Sequence, residues 1–142
     1  MATSVRDVMT SEVETTTSSQ PLHEAARLMK DGDFGSIPVV DDNRLVAVLT
    51  DRDIVIRAVA ERLDAATTRV GEIASADPVT VSPDQNLDDA LEIMSHYRVR
   101  RLPVVEEGRL VGMLSQADIA LEAKEKVTGE VVQEISQPTS VA

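Results

Sequence analysis

The chain contains no cysteine and almost no aromatic residues: Phe34 and Tyr97 are the only ones in 142 positions. Without thiols it has no disulfide framework, no thiolate zinc site and no cysteine nucleophile. With so few aromatic platforms it is poorly suited to stacking single-stranded bases. No apolar run reaches the roughly 18 residues of a membrane helix, and the first residues lack the apolar core of a secretory signal. We therefore expect a cytoplasmic protein with an aliphatic core.

The charge balance is strongly acidic, with a formal net charge of −11. Nucleic-acid duplexes and anionic membranes are bound by basic surfaces, so we expect neither as a partner. A small anionic ligand is still compatible with this charge. Backbone N–H groups and a few arginines can hold a phosphate locally.

The sequence also lacks the usual patterns of catalytic and metal sites. It contains no Walker A loop, no dinucleotide fingerprint and no recognisable Ser–His–Asp arrangement. Its two histidines, His23 and His96, have no partner at metal-ligand spacing. We expect a protein that is not an enzyme, holds no metal and requires no cofactor.

Internal repetition is the most informative feature that is present. Shifted by 65 residues, segment 5–54 overlies segment 70–119 without a gap, and 15 of the 50 positions are identical. The matched pairs include Leu22/Leu87, Ala25/Ala90, Met29/Met94, Pro38/Pro103, Arg44/Arg109 and Asp53/Asp118. The chain is therefore a duplicated unit.

Each copy shows the same succession of predicted elements. A β-prone stretch (13–17; 78–82) precedes an amphipathic helix, whose apolar residues recur at i, i+3, i+4 and i+7 from Leu22 and from Leu87. Two short apolar strands joined by a turn follow, and a second helix begins after Thr50 or Ser115. This order predicts an α/β (α+β) fold built from tandem β-α-β-β-α repeats.

The predicted boundaries are repeat 1 at 1–62, a linker at 63–69, repeat 2 at 70–126 and a tail at 127–142 with a short helix. A lone unit of about 60 residues buries only about 60% of its surface, which makes it marginally stable. We therefore expect the two repeats to pack together about a pseudo-twofold axis.

One motif recurs where the second strand of each copy meets its second helix. It reads hydroxyl-x-x-Asp, as Thr50 to Asp53 and as Ser115 to Asp118. One interpretation is a helix capping box, although that motif prefers Glu or Gln at the last position. The other is a ligand site, because a helix N-terminus favours phosphate and an Asp can accept both hydroxyls of a ribose. The two roles are compatible.

The layout resembles the CBS domain, named after cystathionine β-synthase, over roughly residues 5–124. The similarity is carried by Gly35 to Val40 with Leu45 to Ile54, and by Val99 to Val105 with Leu110 to Ile119. The chain looks most like the stand-alone CBS-pair proteins of bacteria. The resemblance implies a regulatory module that binds AMP, ADP, ATP or a related adenosyl ligand in two clefts between the repeats.

The resemblance also implies roles for individual residues. Asp53 and Asp118 would hold ribose, and Thr50 and Ser115 would assist with phosphate. Arg100 and Arg101 precede a proline where family members commonly carry phosphate-binding basic residues. The groups expected around adenine are Thr15, Thr16, Ile37 and Pro38 in one copy, and Thr80, Val81, Leu102 and Pro103 in the other.

The two copies differ at the arginines, since Gly35 and Ser36 match Arg100 and Arg101. We therefore expect two unequal clefts. The same difference leaves an alternative open, a CBS-pair scaffold or stress-associated interaction protein that binds no ligand. The resemblance further implies a homodimer, and a regulatory module implies a protein partner that the sequence does not identify.

Overall fold

The computed structural model describes residues 3–125, and the predicted tail at 127–142 lies outside this range. The helices are α1 (Val5–Val8), α2 (Leu22–Gly32), α3 (Asp51–Asp53), α4 (Val70–Ile73), α5 (Leu87–Tyr97) and α6 (116–125), and a π-helix (Ile54–Val59) directly continues α3. The strands are β1 (Ser36–Asp41), β2 (Arg44–Thr50), β3 (Ser75–Ala76), β4 (Arg101–Glu106) and β5 (Arg109–Ser115). The predicted fold class, mixed helix and sheet in two matching copies, is confirmed.

The two long helices form where the apolar periodicity predicts them. α2 buries Leu22, Ala25 and Met29 against its own repeat, and α5 buries Ala90 and Met94 in the same way. Both helices end on a residue in the left-handed conformation, at a φ of 54° for Asp33 and 55° for Arg98. Such a residue stops the helix and directs the chain towards the next strand.

Each repeat contributes one antiparallel hairpin to the sheet, β1–β2 and β4–β5. The two hairpins have the same register and the same irregularity, between Val39 and Val40 and between Val104 and Val105. In the described residues they join at one bridge, where Arg44 of β2 lies opposite Arg109 of β5. The strand order is therefore β1-β2-β5-β4, with β3 pairing to β2 off this path.

The first predicted strand of each copy is much shorter than expected. The stretch at 13–17 is reduced to Thr16, which forms a parallel bridge with Val39, and the stretch at 78–82 to Val81, which bridges Val104. Each of these residues both donates to and accepts from the neighbouring strand. Turns follow at once, and in the second copy Pro83 has no N–H to donate.

The N-terminal segments are exchanged between the repeats. Thr10 pairs with Met113 of repeat 2, while β3 of the second copy pairs with β2 of repeat 1. The backbone N–H of Val5 donates to Gln85 O at 2.8 Å, and that of Val70 donates to Gln20 O at 2.9 Å. The first residues of each copy therefore pack against the other copy.

The cores reflect this exchange. One cluster contains the helix and hairpin residues of repeat 1 together with Val70 and Ile73. The other contains the equivalent residues of repeat 2 together with Val5. Val5, Val70 and Ile73 are at most 2% exposed, so each repeat needs the segment of its neighbour to complete its apolar core.

None of the helices within residues 3–125 is long and apolar enough to cross a membrane.

Candidate functional site

The first hydroxyl-x-x-Asp motif forms a complete capping box. The Thr50 hydroxyl accepts from the Asp53 backbone N–H at 3.0 Å, and the Asp53 carboxylate accepts from the Thr50 N–H at 3.0 Å. The Ser75 hydroxyl, delivered by β3, also donates to this carboxylate at 3.1 Å. Asp53 is 8% exposed, so Ser75 covers much of it.

The second motif has a related but more open arrangement. The Ser115 hydroxyl accepts from the Asp118 backbone N–H at 3.0 Å, as in the first copy. The Asp118 carboxylate lies within 3.4 Å of the Thr10 hydroxyl. Thr10 and Ser75 occupy matching positions of the repeat, so the exchanged segments bring a hydroxyl to each Asp. Asp118 is only half-buried and borders a cavity directly.

Two of the cavities between the repeats lie beside the hydroxyl-x-x-Asp motifs, and each is built from both copies. The larger, of about 830 Å³, lies beside Thr50 and Ser75 and is called the basic cleft below. The smaller, of about 480 Å³, lies beside Ser115, Asp118 and Thr10 and is called the acidic cleft. In each, the helix N-terminus of one repeat faces the strand entry of the other, at Arg100 to Pro103 or at Gly35 to Pro38.

The two clefts differ in charge. The basic cleft is lined by four arginines, namely Arg52, Arg98, Arg100 and Arg101, and by the carboxylates of Asp51 and Asp77. The acidic cleft is lined by four carboxylates, namely Glu12, Glu14, Asp33 and Asp118, and by one arginine, Arg101. Phosphate is therefore favoured in the basic cleft and repelled from most of the acidic one.

Arg101 borders both clefts. Its guanidinium lies 5.3 Å from the centre of the Phe34 ring and donates to the Ser36 carbonyl oxygen at 3.4 Å. Burial lowers the pKa of Arg101, and the nearby Asp118 carboxylate opposes this shift. A guanidinium stays protonated in proteins even so, and Arg101 therefore carries a full positive charge between the clefts.

The structure brings most of the predicted residues to these clefts. Thr50, Arg100, Arg101, Leu102 and Pro103 line the basic cleft, with Asp53 behind Ser75. Pro38, Ser115 and Asp118 line the acidic cleft, again with Arg101.

Besides Asp53, five predicted residues do not line either cleft. Ile37, Thr16 and Val81 are buried in the strand layer, because they bridge or belong to the central hairpins. Thr80 is exposed outside the clefts, and Thr15 borders a separate surface cavity beside Arg109. That backbone and apolar groups around these five residues surround adenine stays a prediction.

Sequence reasoning missed the two hydroxyls, Thr10 and Ser75, and the ring of Phe34. The matching of positions 10 and 75 in the repeat was a usable signal, since both carry a hydroxyl. It gave no indication that each hydroxyl would reach the Asp of the other copy, because that contact depends on the segment exchange.

No group of three or more His, Asp or Glu side chains able to hold a metal ion occurs among the described residues.

Two β-α-β-β-α repeats, with clefts between them that lie at the strand-to-helix motifs of Thr50 and Ser115, define a tandem pair of CBS domains. The family model for the CBS domain matches residues 5–59 and again residues 70–125. The chain therefore belongs to the CBS-domain family, and the resemblance found in the sequence is confirmed.

Two curated bacterial proteins illustrate its relatives. The CBS domain-containing protein YhcV of Bacillus subtilis is 42% identical over 118 residues, covering 83% of this chain and 84% of that protein. Hypoxic response protein 1 of Mycobacterium tuberculosis is 38% identical over 141 residues, covering 99% of both chains. The similarity spans nearly the whole of each protein.

Solved structures show the same fold. Hypoxic Response Protein I with two coordinated zinc ions superposes with a TM-score of 0.77 at 40% identity, covering 84% of this chain and 98% of that one. The CBS domain pair of MJ0100, in complex with 5′-methylthioadenosine and S-adenosyl-L-methionine, gives 0.76 at 27% identity, covering 89% and 99%. A hexameric CBS-CP12 protein from cyanobacteria gives 0.72 at 28% identity, covering 87% and 73%.

Proposed function

We propose that the protein is a non-catalytic regulatory module that binds an adenosine nucleotide of the AMP, ADP or ATP class in its basic cleft. The observation that carries this proposal is the convergence of four arginines on a cavity beside the Thr50 helix N-terminus. Guanidinium groups bind phosphate through paired, charge-assisted hydrogen bonds. The first N–H groups of this helix already donate to Gly35 O, to the Asp51 carboxylate and to the Thr50 hydroxyl, so the helix start adds the attraction of its dipole alone.

The size and polarity of the cleft suit a nucleotide. A cavity of about 830 Å³ falls within the usual range of ligand pockets. Leu102, Pro103 and Val48 provide apolar lining for a base. An ionised carboxylate has about four acceptor positions, so Asp53 has acceptor capacity left beside its bonds to Thr50 and Ser75, and it reaches a ribose hydroxyl once the Ser75 side chain rotates away.

The acidic cleft suits a different adenosyl compound. Its four carboxylates oppose a phosphate, but Asp118 is open to a ribose and Pro38 and Met113 offer apolar contacts. A neutral or cationic adenosyl ligand fits this lining best. The MJ0100 pair, whose complex contains a neutral and a sulfonium adenosyl compound, supports this assignment by analogy.

A thermal-shift titration with AMP, ADP and ATP tests the nucleotide proposal. A ligand at 100 times its dissociation constant stabilises the folded state by about 2.7 kcal/mol, so we expect a clear rise in melting temperature. Arg100→Gln removes one phosphate contact without touching the core, and it should weaken binding about tenfold. Arg27→Gln, an exposed arginine of α2 outside both clefts, is the matched control and should bind like the parent.

The second candidate is a CBS-pair scaffold that binds no nucleotide. The contact that favours it is the Ser75 hydroxyl, which already hydrogen-bonds the Asp53 carboxylate at 3.1 Å and covers it. The same titration separates the two candidates. No rise in melting temperature with millimolar AMP, ADP, ATP or S-adenosylmethionine would leave the scaffold as the better description.

A further inference from the structure

Arg101 lies where the symmetry between the repeats breaks. Its match in the first copy is Ser36, so the pair contributes one guanidinium to the region between the clefts and not two. That single group borders the basic cleft and the acidic cleft at once.

The aromatic contact of Arg101 lies on the side of the acidic cleft. The Phe34 ring under its guanidinium lines that cleft and not the basic one, whereas Ser36, whose carbonyl it bonds, lines both. These contacts are weak, since 3.4 Å is long for an N–H···O bond and the ring is 5.3 Å away. A phosphate in the basic cleft offers stronger, charge-assisted bonds to the same group.

The electrostatic consequences of moving this guanidinium are unequal. The basic cleft has three other arginines in its lining, so one more strengthens an attraction that already exists. Within the described part of the chain, the acidic cleft has no second basic residue in its lining. When Arg101 turns towards a phosphate, the four carboxylates of the acidic cleft lose the positive charge in their lining.

Building on the proposed function, we propose that Arg101 couples the two clefts and that the sign of the coupling depends on the charge of the second ligand. A nucleotide in the basic cleft draws the guanidinium towards its phosphate and makes the acidic cleft more negative. Affinity there rises for a cationic adenosyl compound and falls for an anionic one. A neutral adenosyl compound is affected little.

Isothermal titration with two adenosyl probes tests this coupling. S-adenosylmethionine carries a net positive charge, whereas 5′-methylthioadenosine is neutral. Saturating AMP should lower the dissociation constant of S-adenosylmethionine about fivefold, at the low end of typical couplings between sites. The dissociation constant of 5′-methylthioadenosine should stay within about twofold of its value without AMP. By reciprocity, S-adenosylmethionine should tighten AMP by the same factor. The Asp118→Ala variant identifies the cleft: the binding heat that disappears in this variant comes from binding in the acidic cleft.

Two neighbouring arginines provide the matched variants. Arg101→Gln should abolish the effect of AMP on S-adenosylmethionine. Arg100→Gln, which lines the basic cleft alone, should keep the effect once AMP is raised to saturation. An AMP effect that persists in Arg101→Gln, or that is equal for both probes, would contradict the coupling.

The outcomes also separate the coupling from the proposed function. If none of AMP, ADP and ATP binds the parent protein, both proposals fail. If ADP or ATP binds and AMP does not, the nucleotide that binds takes the place of AMP in the coupling experiment. If AMP binds but leaves S-adenosylmethionine unchanged, or if either probe fails to bind beside AMP, only the coupling fails.

Discussion

Thr16 carries a buried hydroxyl that has no hydrogen-bond partner among residues 3–125. Its match in the second copy is Val81, which has the same shape with a methyl group instead and is equally buried. An unsatisfied buried hydroxyl costs free energy, whereas an apolar isostere does not. The second repeat thus shows which side chain this position accommodates.

We therefore expect Thr16→Val to raise the free energy of unfolding by about 1 kcal/mol, measured by urea denaturation. Thr15→Val next to it alters an exposed hydroxyl and should change stability by no more than about 0.5 kcal/mol. A loss of stability in Thr16→Val would mean that its hydroxyl does have a partner in solution.

At the scale of single residues, the sequence predicts those site residues whose motif occurs in both repeats. Thr50, Asp53, Ser115 and Asp118 stand at helix starts that can be located from strand and helix patterns alone. That Arg101 lines both clefts could not be predicted, because it depends on how closely the starts of β1 and β4 approach each other in space. No sequence pattern indicates that one side chain lies between two clefts.

The helices and hairpins are predicted well because their apolar residues repeat over enough positions to define a period. α1 and α4 have four residues each, too few for any periodicity, and β3 has two. They form because the other repeat offers them a partner. These three short elements are therefore stabilised by tertiary contacts and not by their own sequence. The only sequence signal for them is that Val5 and Val70 are identical in the repeat alignment.

The exchanged segment can be tested through Val5, which is fully buried in the core of repeat 2. Val5→Ala removes two methyl groups and leaves a cavity, so we expect a loss of about 2 kcal/mol in the free energy of unfolding. Val46→Ala removes the same atoms from a side chain that is 40% exposed and lies outside the apolar patch discussed below, so it should cost much less. Equal effects in urea denaturation would show that the N-terminal segment does not dock.

The whole molecule presents an apolar patch that its own fold does not cover. Val55, Ile56 and Val59 follow α3 on a π-helical turn and are 55%, 54% and 65% exposed. Large exposed patches of this kind are typical of interfaces between subunits. We propose that this patch contributes to the homodimer that the family resemblance implies.

Sedimentation velocity tests the dimer. The parent protein should sediment as a dimer at micromolar concentration. Val59→Glu should shift it towards the monomer, since it places a charge in the apolar patch. Ser95→Glu adds the same charge at an exposed position of α5 and should leave the dimer intact. A parent protein that is monomeric at all concentrations would exclude this role of the patch.

The segment exchange also constrains the order in which the protein can fold as it is synthesised. Domains generally fold from the N-terminus as they emerge. Here repeat 1 cannot complete its core until Val70 and Ile73 have left the ribosome, although its own helices and hairpin end near Val59. Val5 is among the first residues synthesised, but it packs in the core of repeat 2, whose residues are synthesised last. Cutting the gene between the repeats would therefore yield two halves, each carrying the segment that the other one needs.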